Sequence, residues 1–315
     1  MGSEEETYGM AHRQLNYQSP DSLWLNMGLW SDPDDTFQDA CKRLAMTLAK
    51  IARVSQGCSW FDTGYGCGDQ TNLFLQQFRP ARYVGVTYEK SHYIAAQKRV
   101  QRPSDCQVTL LKGDAVRPDS WSSDSELGGG AGDIRGSENK FDVVTCLDCA
   151  YHFRTREDFL HLLHRKLLRE GGTLALADII AGEKPWTQSL NWWNPVSTLG
   201  VVLMQALFLL IMTATNVPLT NLWPGPAHYE AHLRRAGFVD VGVTDISNQV
   251  FPGFLAFLER FRTQRLPHIM VRDGFSYPSR VVARWAFWGI LAVLRFSVAK
   301  RWLVFVLAHG TKSRE

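Results

Sequence analysis

Trp60-Phe61-Asp62-Thr63-Gly64-Tyr65-Gly66-Cys67-Gly68-Asp69-Gln70-Thr71 is the stretch that decides how this chain reads. An apolar run ends in an acid and three glycines at alternate positions. A strand there finishes in a tight turn bare of side chains, where backbone can approach a nucleoside-like ligand. The spacing is G-x-G-x-G and not the G-x-G-x-x-G that seats a pyrophosphate on a helix N-terminus, which points away from NAD.

Further along come Tyr83-Val84-Gly85-Val86-Thr87, then Val108 to Leu111 closed by Gly113-Asp114-Ala115, then Phe141-Asp142-Val143-Val144-Thr145, then Gly171-Gly172 leading into Thr173 to Asp178. Each is a short apolar, β-branched run ended by a polar or small residue, with helical patterns between. One helix is predicted after Thr36 as N-cap, with Phe37, Ala40, Leu44, Leu48 and Ile51 on one face. Another is predicted after Thr155, with Asp158 completing a capping box and Gly171-Gly172 closing it. Repeated strand-helix units build a parallel sheet whose ligands sit at the carboxyl ends of the strands.

In this order the segments resemble the Rossmann-like S-adenosylmethionine-dependent methyltransferases, over roughly Leu15 to Val243 with a last strand near Trp302 to Ala308. The resemblance implies an α/β fold with a seven-stranded, mostly parallel sheet, helices on both faces, and S-adenosylmethionine as cofactor. It implies that Asp62, Gly64, Gly66 and Gly68 surround the methionine part of the cofactor, and that Asp114-Ala115 lies by the adenine. The end of the second strand in that family usually carries an acid for the ribose hydroxyls. This chain has Thr87-Tyr88-Glu89, so Thr87 and Glu89 are both candidates. A Thr-type segment there is similar to the branch acting on sterols, cyclopropane fatty acids and related lipophilic small molecules. Asn26-Met27-Gly28-Leu29-Trp30 resembles the N-x-G-x-W segment ahead of many small-molecule methyltransferase cores and implies a cap over the cofactor, the alternative being a Trp packed on the first helix.

The chemistry is expected after the fourth strand, in Leu147-Asp148-Cys149-Ala150-Tyr151-His152-Phe153. Methyl transfer needs an in-line nucleophile, whose placement alone can supply ~7 kcal/mol. A nucleophile that must shed a proton also needs a base, for which a histidine near neutrality is suited. His152 follows Asp148 by four, so a helical turn would let the carboxylate orient the imidazole or the substrate. The resemblance places Asp148 by the methionine amino group or the acceptor, and a histidine four residues later, as His152 is, is frequent in its small-molecule branch. The catalytic candidates are His152, Asp148 and Tyr151, with Asp178 aimed at the same opening. The competing reading has Tyr151 and His152 merely capping the strand.

With 315 residues, 45% hydrophobic and 21% charged, the chain is able to bury a core and is too ordinary to be largely disordered. It opens on Glu4-Glu5-Glu6 where a signal peptide would be basic and then apolar, so the cytosolic side is expected. Six cysteines form no regular framework. Cys146-x-x-Cys149 lacks a second ligand pair, which predicts reduced thiols and no metal, with Cys149 a candidate for the pocket wall.

The net charge of +3 is uneven, with eleven Lys/Arg against three Asp/Glu from Glu259 onward. Within that tail Arg284 and Arg295 interleave with Trp285, Phe287, Trp288 and aliphatic residues, and no nucleic-acid-binding motif appears, so lipid is the better partner. No charged residue stands between Lys184 and Glu230, and Val196 to Val217 is nearly wholly apolar and long enough to span a bilayer. Trp192, Trp193 and Trp223 flank it as interfacial aromatics would. A true crossing would separate the sixth strand, Gly237 to Val241, from its own sheet. The run is therefore expected to dip into one leaflet together with Val281 to Val298, or to form a buried lid.

The organisation expected is a cap over residues 1–35, a core over 36–183 with a polar, glycine-rich insertion at 119–139, an apolar lid or membrane insertion over 184–235, and the end of the sheet with basic, apolar helices over 236–315. The expected activity is S-adenosylmethionine-dependent methylation of a lipophilic small molecule at the cytosolic face of a membrane. Its rivals are a soluble enzyme of polar metabolites or amines, and a catalytically silent membrane protein that binds the cofactor.

Overall fold

Strict alternation along the strands divides the interior into two cores. In the computed structural model of the protein, which describes residues 15–16, 21–32, 34–122, 140–183, 195–272, 274 and 276–314, Trp60 stacks on Phe74 at 4.4 Å on one face of the sheet, while its neighbour Phe61 meets Phe141 at 5.1 Å on the other. The elements are α1 (Phe37–Ile51), β1 (Ser59–Thr63), α2 (Asp69–Phe78), β2 (Arg82–Thr87), α3 (Lys90–Arg99), β3 (Gln107–Lys112), β4 (Phe141–Leu147), α4 (Arg156–Leu162) and β5 (Leu168–Ala181). They continue as α5 (Pro195–Ala214), α6 (Gly225–Arg235), β6 (Phe238–Asp245), α7 (Ser247–Arg260), α8 (Leu266–Arg272), α9 (Tyr277–Ala299) and β7 (Leu303–Lys312). The sheet runs β3-β2-β1-β4-β5-β7-β6, with only β7 antiparallel to its neighbours. This is the seven-stranded, Rossmann-like sheet expected.

Local expectations hold where the signal is short-range. Thr36 caps α1 by accepting from the Asp39 amide at 3.2 Å, and Phe37, Ala40, Leu44 and Leu48 are buried. Thr155 and Asp158 form the capping box of α4. The glycines behave differently. β5 already begins at Leu168, and Gly171-Gly172 lie in the irregularity where the β4 register moves from Phe141↔Leu168 to Val143↔Thr173. Gly171 has φ 72, which suits a strand bulge as well as a helix end. At the start of the polar insertion Trp121 is buried and donates its indole N–H to the Asp114 carbonyl at 2.7 Å. Residues 123–139 lie outside those described.

A buried ion pair joins the second core. Arg156 Nε lies 3.0 Å from Asp178 Oδ2 with both side chains fully buried, and Arg156 Nη2 donates to the Ile179 carbonyl at 3.0 Å. The guanidinium lies over Trp223 at 4.6 Å and Tyr229 at 5.1 Å, and the Tyr229 hydroxyl donates to Asp178 at 2.8 Å. Asp178 is therefore committed to α4 and α6 instead of standing free at the opening. Trp223, expected as an interfacial anchor, is buried between Arg156 and the His232 ring stacked on it at 4.0 Å. Trp192 and Trp193 lie outside the described residues.

Removing one partner of such a pair leaves an uncompensated buried charge. Arg156→Met is expected to cost about 3–5 kcal/mol, and Arg156→Met with Asp178→Leu distinctly less. Urea unfolding of the three proteins measures it, and equal losses in the single and double variants would contradict the account.

Candidate active site

From β1 the chain turns to β2 and β3 on one side, and from β4 it turns to β5 on the other, so the carboxyl ends of β1 and β4 flank a crevice. The glycine loop lies on its β1 side. Gly64, Gly66 and Gly68 have φ 73, 63 and 101, a backbone that side chains disfavour. A Cβ on Gly64 would stand 2.4 Å from Cys149 Sγ, and one on Gly66 would stand 3.2 Å from Leu25 Cδ1. Gly68 is the N-cap of α2, so the amides that open this helix follow directly on the loop.

Asp62 does not face outward. Its carboxyl accepts from Tyr83 Oη at 2.6 Å, Gln70 Nε2 at 2.7 Å and Thr145 Oγ1 at 2.7 Å. Burial pushes its pKa up to about 6, against those three donors. The acid thus shapes the loop from beneath. At the neighbouring strand ends Thr87 is buried, Glu89 is the half-buried N-cap residue of α3, and Ala115 is buried. Asp114 Oδ1 accepts the Val116 amide at 2.9 Å. Two bonds knit these ends together: the Gly64 amide donates to the Val86 carbonyl at 2.8 Å, and the Gly113 amide to the Thr87 carbonyl at 2.9 Å.

On the β4 side Asp148 has φ 55, and Oδ2 accepts the Met27 amide at 2.7 Å. Oδ1 is buried and makes no hydrogen bond of good geometry among the described residues. Burial raises the Asp148 pKa to about 7; the charge of Asp178 adds to this, while the Met27 N–H and the Tyr151 hydroxyl oppose it. The Asn26–Trp30 segment thus reaches the site through Met27. Trp30 itself packs on α7, with Phe257 at 6.0 Å and Gly253 leaving room for its ring.

Asp148 and His152 are not joined. The chain passes from Asp148 through Cys149 at φ −146 into a 3₁₀ turn, Ala150–His152, and not into an α-helix. His152 Nδ1 lies instead 3.4 Å from the Asn216 carbonyl, and burial lowers its pKa from 6.5. The Tyr151 ring lies 4.3 Å from that of His152, and burial pushes its phenol up. Cys146 and Cys149 are free thiols with their sulfurs 3.1 Å apart, and Cys149 donates to the Thr63 carbonyl at 3.3 Å. No group of three or more metal-ligating side chains occurs among the described residues. Sequence reasoning missed Asn221, which is buried and donates to the Tyr151 and Phe153 carbonyls at 3.0 and 2.6 Å.

A cradle of three glycines beside a buried carboxylate whose Oδ1 makes no hydrogen bond of good geometry among the described residues fits an amino-acid-bearing nucleoside such as S-adenosylmethionine. A methyltransferase-domain family matches residues 61–176. Erythromycin 3''-O-methyltransferase of Saccharopolyspora erythraea is 28% identical over 239 residues, which is 75% of this chain and 69% of that protein. The 27-O-demethylrifamycin SV methyltransferase of Amycolatopsis mediterranei is 25% identical over 256 residues, 79% of this chain and 81% of that protein. Residues 61–176 thus carry a domain of the S-adenosylmethionine-dependent methyltransferase kind. The methyltransferase shares its fold with the cyclopropane synthase MmaA2 from Mycobacterium tuberculosis, at TM-score 0.68 and 16% identity over 97% of this chain and 95% of that one.

Two predictions concern the cofactor. Gly66→Val places a branched side chain at φ 63 beside Leu25 and is expected to abolish S-adenosylmethionine binding by the folded variant in calorimetry. Unchanged affinity would remove the loop from the site. The second is a pH dependence. With Asp148 titrating near 7, affinity for the cationic amino group of S-adenosylhomocysteine should rise as pH increases through that value, and Asp148→Asn should flatten the profile. The free protein runs the other way. A carboxyl with a raised pKa stabilises the fold fully below its unfolded value of about 4, and the contribution is lost as pH rises through the folded pKa. Asp148→Asn should therefore unfold at higher urea than wild type above neutral pH.

Proposed function

We propose that this methyltransferase methylates a hydroxyl of a lipophilic small molecule, a natural product such as a sterol, terpenoid or quinone, received at the cytosolic face of a membrane. The observation that carries this reading is a neutral, desolvated His152 lying directly against the end of an apolar helix whose outer face is bare. Leu199, Leu203 and Leu210 of α5 are 70%, 56% and 63% exposed, and Val282, Trp285 and Trp288 of α9 are 68%, 66% and 48% exposed. Contiguous exposed apolar surface of this kind is a mark of contact with lipid or partner.

The bound cofactor supplies a methyl group made electrophilic by its sulfonium. The acceptor hydroxyl must lose a proton as it attacks, and His152 is the group proposed to take it. Burial keeps the imidazole uncharged at neutral pH, so it is available as an acceptor. Asp148 and the glycine loop hold the cofactor, and Tyr151 packs beside the base. An oxygen acceptor is favoured by the erythromycin relative, whose name specifies O-methylation.

The membrane part rests on topology and charge. The most apolar 18-residue window of α9 has mean hydropathy 1.5 and is only 17% buried, which meets the length and composition of a span. Yet α9 runs directly into β7, and α5 is followed by α6 and β6, all returning to the same sheet. A helix lying in the interface satisfies both facts. Arg284 is exposed and makes no ion pair among the described residues, which supports a meeting with lipid phosphate; Arg295 is held by Glu259 at 3.3 Å.

The test of function is incubation with methyl-labelled cofactor and a lipid or natural-product extract, followed by mass analysis of the labelled product. His152→Gln is expected to lower turnover on that product by ~10²-fold or more with cofactor affinity nearly unchanged; equal turnover would exclude His152 as the base. Flotation with vesicles containing anionic lipid tests the surface. Wild type should float and Trp285→Ser with Trp288→Ser should not, whereas a wild-type protein that stays in solution would favour a buried-lid role for α5.

A further inference from the structure

We propose that Asn216 is a positioning residue for His152: its main-chain carbonyl holds the imidazole proton on Nδ1 and so leaves Nε2 as the atom that accepts a proton from the acceptor. The inference rests on the reading of His152 as base, but it assigns the atom and the device that selects it. A carbonyl oxygen only accepts, so the contact at 3.4 Å requires the proton to sit on Nδ1. No other hydrogen bond to the His152 ring is present among the described residues, and Asp148, the expected orienting group, is turned to Met27.

The direction of that carbonyl is built into the end of α5. Asn216 has φ 56, the left-handed conformation that ends many helices and that Asn and Gly adopt most readily. Its amide donates to the Thr213 carbonyl at 3.1 Å, and the next amide, of Val217, reaches back to the Met212 carbonyl at 2.8 Å. Met212 and Val217 are both buried in the first core, so the turn is anchored on each side of Asn216.

The same segment grips the histidine's own turn. The Asn221 amide donates to the Tyr151 and Phe153 carbonyls, and its Oδ1 accepts the Arg156 amide at 3.3 Å. The main chain on both sides of His152 is thereby held by Asn221, five residues beyond Asn216 on the same segment.

Nitrogen-15 spectra of the histidine-labelled enzyme with S-adenosylhomocysteine bound test this, with His152 assigned by its loss in His152→Gln. The wild type should show a protonated, pyrrole-type Nδ1 and an unprotonated, pyridine-type Nε2. Asn216→Gly should keep that pattern because glycine accepts the left-handed turn. Asn216→Val should lose it, shifting the ring toward a mixed or Nε2–H tautomer. An Nε2–H tautomer in wild type overturns the proposal whatever the variants do, and so does an unchanged tautomer in a folded Asn216→Val. Failure of the base assignment is distinguishable: His152→Gln would then retain turnover while the tautomer result stood unaltered.

Discussion

One buried carboxylate organises the place where this fold works. Asp62 sits near the end of β1 and is held by a tyrosine of β2, a threonine of β4 and a glutamine of α2. These are the elements that diverge at the crevice. A charge taken out of water costs several kcal/mol unless its lone pairs are satisfied, so the three donors and the acid require one another. Because Asp62 is occupied below, the loop above it presents backbone, and the three glycines can take their left-handed conformations without a side chain intruding. The cofactor site is in this sense the roof over a satisfied internal charge.

What was legible in the chain was what neighbouring residues decide together. Alternation placed the strands, Thr36 and Thr155 marked helix starts, and the glycine spacing located the loop. What was hidden depended on long separations or on backbone turns with no sequence period. Arg156 looked like the first residue of a capped helix, and nothing local shows that it pairs with Asp178 or lies under Trp223. Asp148 and His152 have helical spacing, but Asp148 takes a left-handed conformation and breaks the turn before the two can meet. Asn216 was absorbed into the apolar run Val196 to Val217 and Asn221 lies beyond it, although an Asn just past a helix is a known signal for a carbonyl turned aside. Gly171-Gly172 carried an ambiguous signal, since the left-handed residue that ends a helix also makes a strand bulge.

The two apolar helices belong to the first core as well as to the surface. Phe208 of α5 meets Trp302 at 5.8 Å just before β7, and α9 contributes Leu291 and Val293 to the interior. Each helix therefore has a packed face and a bare one. The packed faces tie both to the sheet, which is why a region with the composition of a membrane span remains part of a Rossmann-like enzyme.

The position of β7 also orders events during synthesis. Among the described residues β6 pairs with β7 alone, and Ile246 and Ser247 just beyond it bond to Phe305. As the nascent chain emerges, β1 to β5 can assemble in sequence. β6 must wait until α7, α8 and α9 have been made. During that interval an unpaired strand edge and two apolar helices are exposed together, a combination that invites aggregation. For this chain the last strand is the clasp: until Leu303 to Lys312 has been made, β6 lacks the strand it pairs with.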